Sequence, residues 1–455
     1  MIAIKKLIAL VACAVIATNC AAVTAFADNK SEYKTSVKMN VVCEGQYVNW
    51  DGVTNAAQFI GDNGEFCFAY DGKDSVTVVR TKNGKPLKKR VILEKKHPLF
   101  GTAVCDSNGY YYLVTGEKNT GSNRNKQTIF VSKYDKNGKH IKTVGDDGSS
   151  SLEYYYDSSF NTSVPFDGGN CDAAVNDNLI TVNYGRHMYS GHQSNSVFTV
   201  ETDSMTAVNI PGIYNSHSFA QRVIPYKEGF VYLSEGDAYP RAFTVFYADF
   251  SVNGKIYLYG NELFHFWLKS GSSDNMYSVN NNFAHAGGIA NIGNKKIAML
   301  GTSVKSLNSN AKSENEQLFI QIFDPAKDCS KASSFSTSGT RSGTGGLSGN
   351  EKVTDYGVKW LTNYDSDTVI SEPQIVSTDD GKIVILYEKY TKNKYSGVFY
   401  AVLDENGGIL KKTQRFSKTA HLNSCEMPVY ANGKIWWVQN NGSGSDIYIY
   451  SLELD

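Results

Sequence analysis

One unit recurs along this chain and limits its fold more than any single motif does. It has a strand rich in small residues, a tight turn, an apolar strand, a variable loop, a third strand, a second turn and a fourth strand. The clearest copy is SEPQIVSTDDGKIVILYEKYTKNKYSGVFYAVLDENGGILKKT at 371–413. The same order runs through FGTAVCDSNGYYYLVTG and IFVSKYDKNGKHIKTV within 100–144, and through AAQFIGDNGEFCFAYDGKDSVTVVRTKNGKPLKKRVIL at 56–93. Weaker copies begin near Asn170, Ser216, Phe283 and Ser424. Asn-Gly and Asp-Gly between apolar runs of period two signal hairpins, because those residues accept the left-handed backbone of a tight turn. Helical periodicity is missing almost everywhere after residue 30.

Seven such units, roughly 35–55 residues apart, predict an all-β fold: a single seven-bladed β-propeller of four-stranded antiparallel blades. The last unit, from Cys425, stops after three strands, while SVKMNVVCE (36–44) lies outside the first unit. This N-terminal strand is expected to complete the last blade, closing the ring and removing exposed sheet edges. A length of 455 residues alone suggests more than one domain, but the repeat makes 28–455 one. Abundant Tyr (29) and Gly (40) with little Pro (9) suit many short strands closed by glycine turns. The Ser/Gly/Thr run 330–350 has no apolar period and is expected to be a flexible loop between the third and fourth strands of the fifth blade.

Residues 1–27 read as a signal peptide. Lys5 and Lys6 precede the apolar LIALVACAVIA, and Ala25-Phe26-Ala27 supplies small residues for cleavage after Ala27. Thr18-Asn19 does not fit the lead-in to a lipid-modified Cys20. No later apolar run approaches the ~20 residues of a membrane helix. The expectation is a secreted, extracellular protein with no membrane span. Losing Lys5 and Lys6 takes the formal charge from 0 to −2, which favours neither nucleic acid nor an anionic membrane. Cys43, Cys67, Cys105, Cys171, Cys329 and Cys425 remain in the mature chain. Their even number permits disulfides, while FCFAY and GTAVC equally suit buried thiols. No zinc spacing, GxSxG, phosphate loop or HExxH occurs, and DSNG, DKNGK, DENGG and DDGK read as hairpin turns rather than calcium loops. No metal or cofactor is implied.

In a four-stranded meander, the links between strands two and three and the links to the next blade emerge on one face. That face gathers GRHMYSGHQSN, GDAYPRA, PGIYNSH and the long crossovers 147–170 and 261–282, whereas the other receives short turns. Binding residues ride on such loops. Arg186, His187 and His192 are candidate sugar or carboxylate donors, and Tyr155 in EYYYD and Trp267 in LFHFWLK are candidate stacking rings. Aligning the innermost strands brings Asp172, Glu372 and Glu426 to similar depth on the central channel. If the protein is an enzyme, His217, Tyr239 and Arg241 suit proton abstraction from a uronic acid, with Arg241 neutralising the carboxylate. Each group also has an ordinary reading as loop packing or solvated channel charge.

SHSFAQRV followed by GDAYPRA resembles a pairing in uncharacterised secreted bacterial β-propeller proteins, which implies export but no particular activity. AAVNDNLITVNYGRH followed by His, Tyr and Arg is similar to seven-bladed polysaccharide lyases. That resemblance implicates His187, His217, Tyr239 and Arg241. The SxDxGxTW boxes of sialidase propellers do not occur. Three functions stay open: a monomeric module binding a glycan or an extracellular protein, a polysaccharide lyase or glycoside hydrolase on the same face, and a structural scaffold.

Overall fold

The computed structural model describes residues 30–37, 39, 45–46, 53, 55–82, 85–153, 155–236, 242–252, 255–265, 284–305, 315–331, 358–440 and 446–454. Their strands form seven antiparallel sheets. Blade 1 runs from Ala56–Ile60 outward to Lys85–Glu94, blade 2 from Leu99–Cys105 to His140–Asp146, and blade 3 from Cys171–Asn176 to Thr206–Val208. Blade 4 runs from Ser218–Tyr226 to Lys255–His265, blade 5 from His285–Ile292 to Lys359–Trp360, and blade 6 from Thr368–Ser377 to Ile409–Ser417. Blade 7 begins with Val429–Ala431 and ends with the N-terminal strand Lys30–Ser36. The innermost strands touch in unbroken order from blade 1 to blade 7 and back to blade 1. The chain is a seven-bladed β-propeller.

The closing strand lies earlier than the apolar pattern at 36–44 suggests. Lys30–Ser36 pairs with Asp446–Glu453, from Lys30 opposite Leu452 to Ser36 opposite Asp446. An outermost strand meets water, so the polar KSEYKTS suits the place. Asp446 holds it through Lys34 at 3.1 Å and the Ser36 hydroxyl at 2.9 Å. Val37 and Met39 instead pack on the apolar joint between blades 7 and 1.

The free outer edges follow one rule. Full-length outer strands carry charge, as in Lys85, Lys88 and Lys89 of blade 1 or Lys411 and Lys412 of blade 6. Lysine on an edge opposes pairing with another chain. The outer strands of blades 3 and 5 are short, and the edge of blade 4 is covered by Ser330–Lys331, whose Lys331 and Ser330 pair with Tyr259 and Gly260. Ser330–Lys331 does lie between the third and fourth strands of blade 5, as the sequence order requires. The remainder of the 330–350 run lies outside the described residues.

Four innermost strands break register at a matching depth: between Phe100 and Thr102, Phe219 and Arg222, Ala286 and Gly288, and Ser371 and Gln374. Ala220 and Glu372 take φ of 52° and 49° there, a left-handed backbone that costs a side-chain-bearing residue free energy. Such bulges re-aim side chains, here near the axis.

Candidate functional site

The crossover from blade 2 to blade 3 builds a surface of packed aromatic rings on the loop-rich face. Asp157 caps the short turn Ser158–Phe160 by accepting from Ser159 N at 2.7 Å. The turn sets four rings against one another. Tyr156 lies 4.6 Å from Tyr155, 4.4 Å from Phe160 and 5.6 Å from Tyr214, with all three pairs tilted. Tyr155 is 52% exposed, so the cluster ends in an open ring. Burial pushes the Tyr156 phenol above its ordinary range.

This loop stands on a buried polar layer. Asn183, Arg186, Ser194, Asn195 and Ser196 of blade 3 are each 0% exposed. Arg186 Nε donates to Ser194 Oγ at 3.1 Å and Asn195 O at 3.2 Å. Its Nη1 donates to Gly148 O at 2.9 Å and Thr162 Oγ1 at 3.1 Å, joining the two ends of the aromatic crossover. Gly148 has φ +87°, and a β-carbon there would run into Thr162 and Arg186, so only glycine fits this neck. Asn161 Nδ2 adds a bond to Asp147 Oδ2 at 2.9 Å, and backbone bonds fasten Tyr189 to Asn161 and Ser190 to Ser159. The rings are thereby held from several sides. Burial lowers the Arg186 pKa, with no carboxylate within ion-pair distance among the described residues.

By strand direction, every histidine except His140 stands on this face. The His192 and His217 rings are 5.9 Å apart, with His217 at φ 49°. His187 Nδ1 lies 3.5 Å from the fully buried Asp167, which also accepts from Gln46 N at 3.0 Å. His285 Nδ1 lies 3.2 Å from Glu235, and the next residue, Ala286, donates its N–H to that carboxylate at 2.8 Å. His421 and Leu422 repeat the arrangement on Glu388 at 3.1 and 2.9 Å. A second-strand glutamate thus clasps the entry to the following blade at the joints 4–5 and 6–7.

The axis is crossed rather than open. Residues 423–427 form a strap from blade 7. Asn423 O accepts from Gln374 of blade 6, Ser424 O from Arg222 Nη2 of blade 4 at 3.0 Å, and Cys425 O from Asn170 of blade 3 at 3.4 Å. Gln58 of blade 1 donates its backbone N–H to Glu426 at 3.3 Å. Beside the strap, Asp172 accepts from Val223 N at 2.8 Å and Ala173 N at 2.9 Å. Burial pushes the Asp172 carboxyl up to about 6 against the pull of Arg222. Burial and the neighbouring Asp172 charge hold Glu426 well above its ordinary value. Arg222 is 3% exposed, and its Nε has no partner among the described residues.

The candidates therefore separate. Tyr155, His192 and His217 share the open face, with His187 at its edge. Arg186 lies beneath it, fully enclosed, and alternation along the strand sends the half-buried His187 to the opposite face of the blade. Asp172 and Glu426 meet at the axis. Glu372 lies in the bulge of blade 6, where its charge acts on Tyr390. Tyr239, Arg241 and Trp267 fall outside the described residues. Sequence reasoning missed Arg222, Asn170 and Gln58. A charged residue inside the apolar strand SFAQRVI was the one available signal for Arg222.

No protein-family model and no curated protein sequence matches this chain. Similar solved structures include the N-terminal domain of Nup159, at 9% identity and TM-score 0.40 over 94% of this chain and 98% of that one. A Trypanosoma rangeli sialidase in complex with the inhibitor DANA is 13% identical, with TM-score 0.38 over 77% of this chain; the match spans only 54% of the sialidase. An endo-arabinase from Bacteroides thetaiotaomicron is 14% identical, with TM-score 0.30 over 64% of this chain and 89% of that one.

Proposed function

We propose that this propeller is a secreted carbohydrate-binding module and that the aromatic crossover is its contact surface. The observation that carries the reading is the cluster of Tyr155, Tyr156, Phe160 and Tyr214, open at Tyr155 and fastened from below. Sugar rings offer apolar C–H faces to aromatic rings, and rigid aromatics contribute contact area at low entropic cost. His192 and His217, with rings 5.9 Å apart, lie on the turn and crossover that also carry Tyr189 and Tyr214, and supply hydrogen-bonding groups on the same face. Cleavage after Ala27 leaves the strand Lys30–Ser36 intact to complete blade 7, so export is compatible with a closed ring.

The test is retention of the chain 28–455 on immobilised arabinan, xylan and laminarin. Retention on at least one is expected, and Tyr155→Ala should lower it by about tenfold, in line with loss of one stacking contact. No retention on any of the three, or retention indifferent to Tyr155→Ala, would sink the reading.

A further inference from the structure

The neck of the aromatic loop holds a carboxyl group that the binding reading does not use. Asp146 ends the outermost strand of blade 2, directly before the crossover. Its Oδ2 accepts from Gly148 N at 2.7 Å and Ser150 Oγ at 3.1 Å. Thr162 N closes the far end on Asp147 O at 2.8 Å, and Arg186 bridges Gly148 to Thr162. Residues 148–161 thus form a loop whose ends meet at one knot, with the rings on its outer curve.

We propose that Asp146 and Arg186 are positioning residues for the aromatic loop, and that the proton on Asp146 governs whether the knot stays tied. Its consequence for a ligand rests on the carbohydrate reading above, whereas the behaviour of the loop does not. Two interactions oppose the ionised carboxylate in the tied loop: removal from water, then the neighbouring Asp147 charge. The bonds from Gly148 N and Ser150 Oγ and the charge of Arg186 offset only part of this, leaving Asp146 at about 6 instead of 3.8. Tyr184, on the same blade 3 strand as Arg186, also faces the pair. An untied loop returns Asp146 to water and to its ordinary acidity. Ionisation therefore favours the untied form, and protonation favours the tied one. With those two values the tied form loses about tenfold in population ratio between pH 5.0 and pH 7.5. The prediction is tighter binding on the acidic side.

Hydrogen exchange of the chain 28–455 at pH 5.0 and 7.5, corrected for the intrinsic rate, tests the knot. Protection of the 148–161 amides should fall about tenfold at the higher pH. Asp146→Asn, which cannot ionise, should show the same protection at both pH values, and Arg186→Lys should lose protection at both. Peptide 383–403 in blade 6 serves as the control. An unchanged wild type, the same fall in Asp146→Asn, or an equal fall in the control would overturn the proposal. Arabinan and xylan do not titrate in this range. Retention on them should be stronger at pH 5.0 than at pH 7.5, by less than the change in exchange because the tied form predominates, and should lose that dependence in Asp146→Asn. Failure of both glycans to bind would remove the carbohydrate reading and leave exchange to judge the knot.

Discussion

The joint between blades 3 and 4 and the joint between blades 6 and 7 are built from the same strands and packed with opposite chemistry. At the joint 6–7, Trp437 packs on Phe416 at 4.7 Å and Tyr450 at 5.3 Å, amid Val384, Leu386, Val398 and Leu452. At the joint 3–4, apolar packing is confined to groups such as Val197, Ile213, Phe230 and Tyr232, while Asn183 and Asn195 are buried on its loop-rich side, with Arg186 and Ser194 behind them on the blade 2 face of the same strands. A buried polar network must satisfy its groups one by one, and here it is not complete. Asn170 Oδ1, Arg186 Nη2, Gln193 Oε1, Asn215 Nδ2 and Arg222 Nε have no partner among the described residues. An apolar joint gains stability from area alone; a polar one holds a particular geometry. The difference leaves blades 3 and 4 held by specific polar partners where blades 6 and 7 are held by apolar area.

Substitutions can break this contrast. Trp437→Ala removes the largest buried ring of the joint 6–7 and should cost about 3–5 kcal/mol in denaturant unfolding, without changing glycan retention by the folded fraction. Arg186→Met fills similar volume but removes the donor of four buried hydrogen bonds, and about 2–4 kcal/mol should be lost. Glycan retention should fall with it, and equal effects of both substitutions on retention would erase the proposed contrast.

Asp172→Asn is expected to act in the opposite direction. The folded chain holds the Asp172 proton up to about pH 6, whereas the unfolded chain releases it near 3.8. The folded state therefore binds more protons between these values, and stability falls as pH rises through that window. Asn cannot ionise, so the variant should exceed wild type by about 1–2 kcal/mol above pH 7, a value reduced for partial solvent contact. The gain should vanish near pH 4, and a gain of equal size at both pH values would contradict the assignment. Tyr155→Ala should have the smallest stability effect, within about 0.5 kcal/mol, because the ring is half in water. Its effect belongs in retention alone.

The blades were legible because their signals are local. Period-two apolar runs and glycine turns declare each hairpin without reference to the rest of the chain. The closing strand was read too late because Lys30–Ser36 faces water and carries no apolar pattern. Arg186 and His187 are sequence neighbours, and only the folded chain separated a fully enclosed fastener from a half-buried group beside Asp167. Asp172 and Glu426 meet beside the strap, whereas Arg222 and the strap itself were missed. Their meeting depends on ring closure, which sets blade 7 opposite blades 3 and 4.

By itself the sequence determined that this chain is a propeller of seven units, since a repeated hairpin pattern must stack its apolar faces on neighbouring copies. It also determined which face gathers the long loops, because the meander alternates its links. Only the tertiary structure decided that a strap from blade 7 crosses the axis, that Arg186 is a knot beneath the aromatic loop, and that Asp146 lies within it. These depend on contacts between residues tens to hundreds of positions apart, where burial and closed geometry, rather than residue type, set what each group can do.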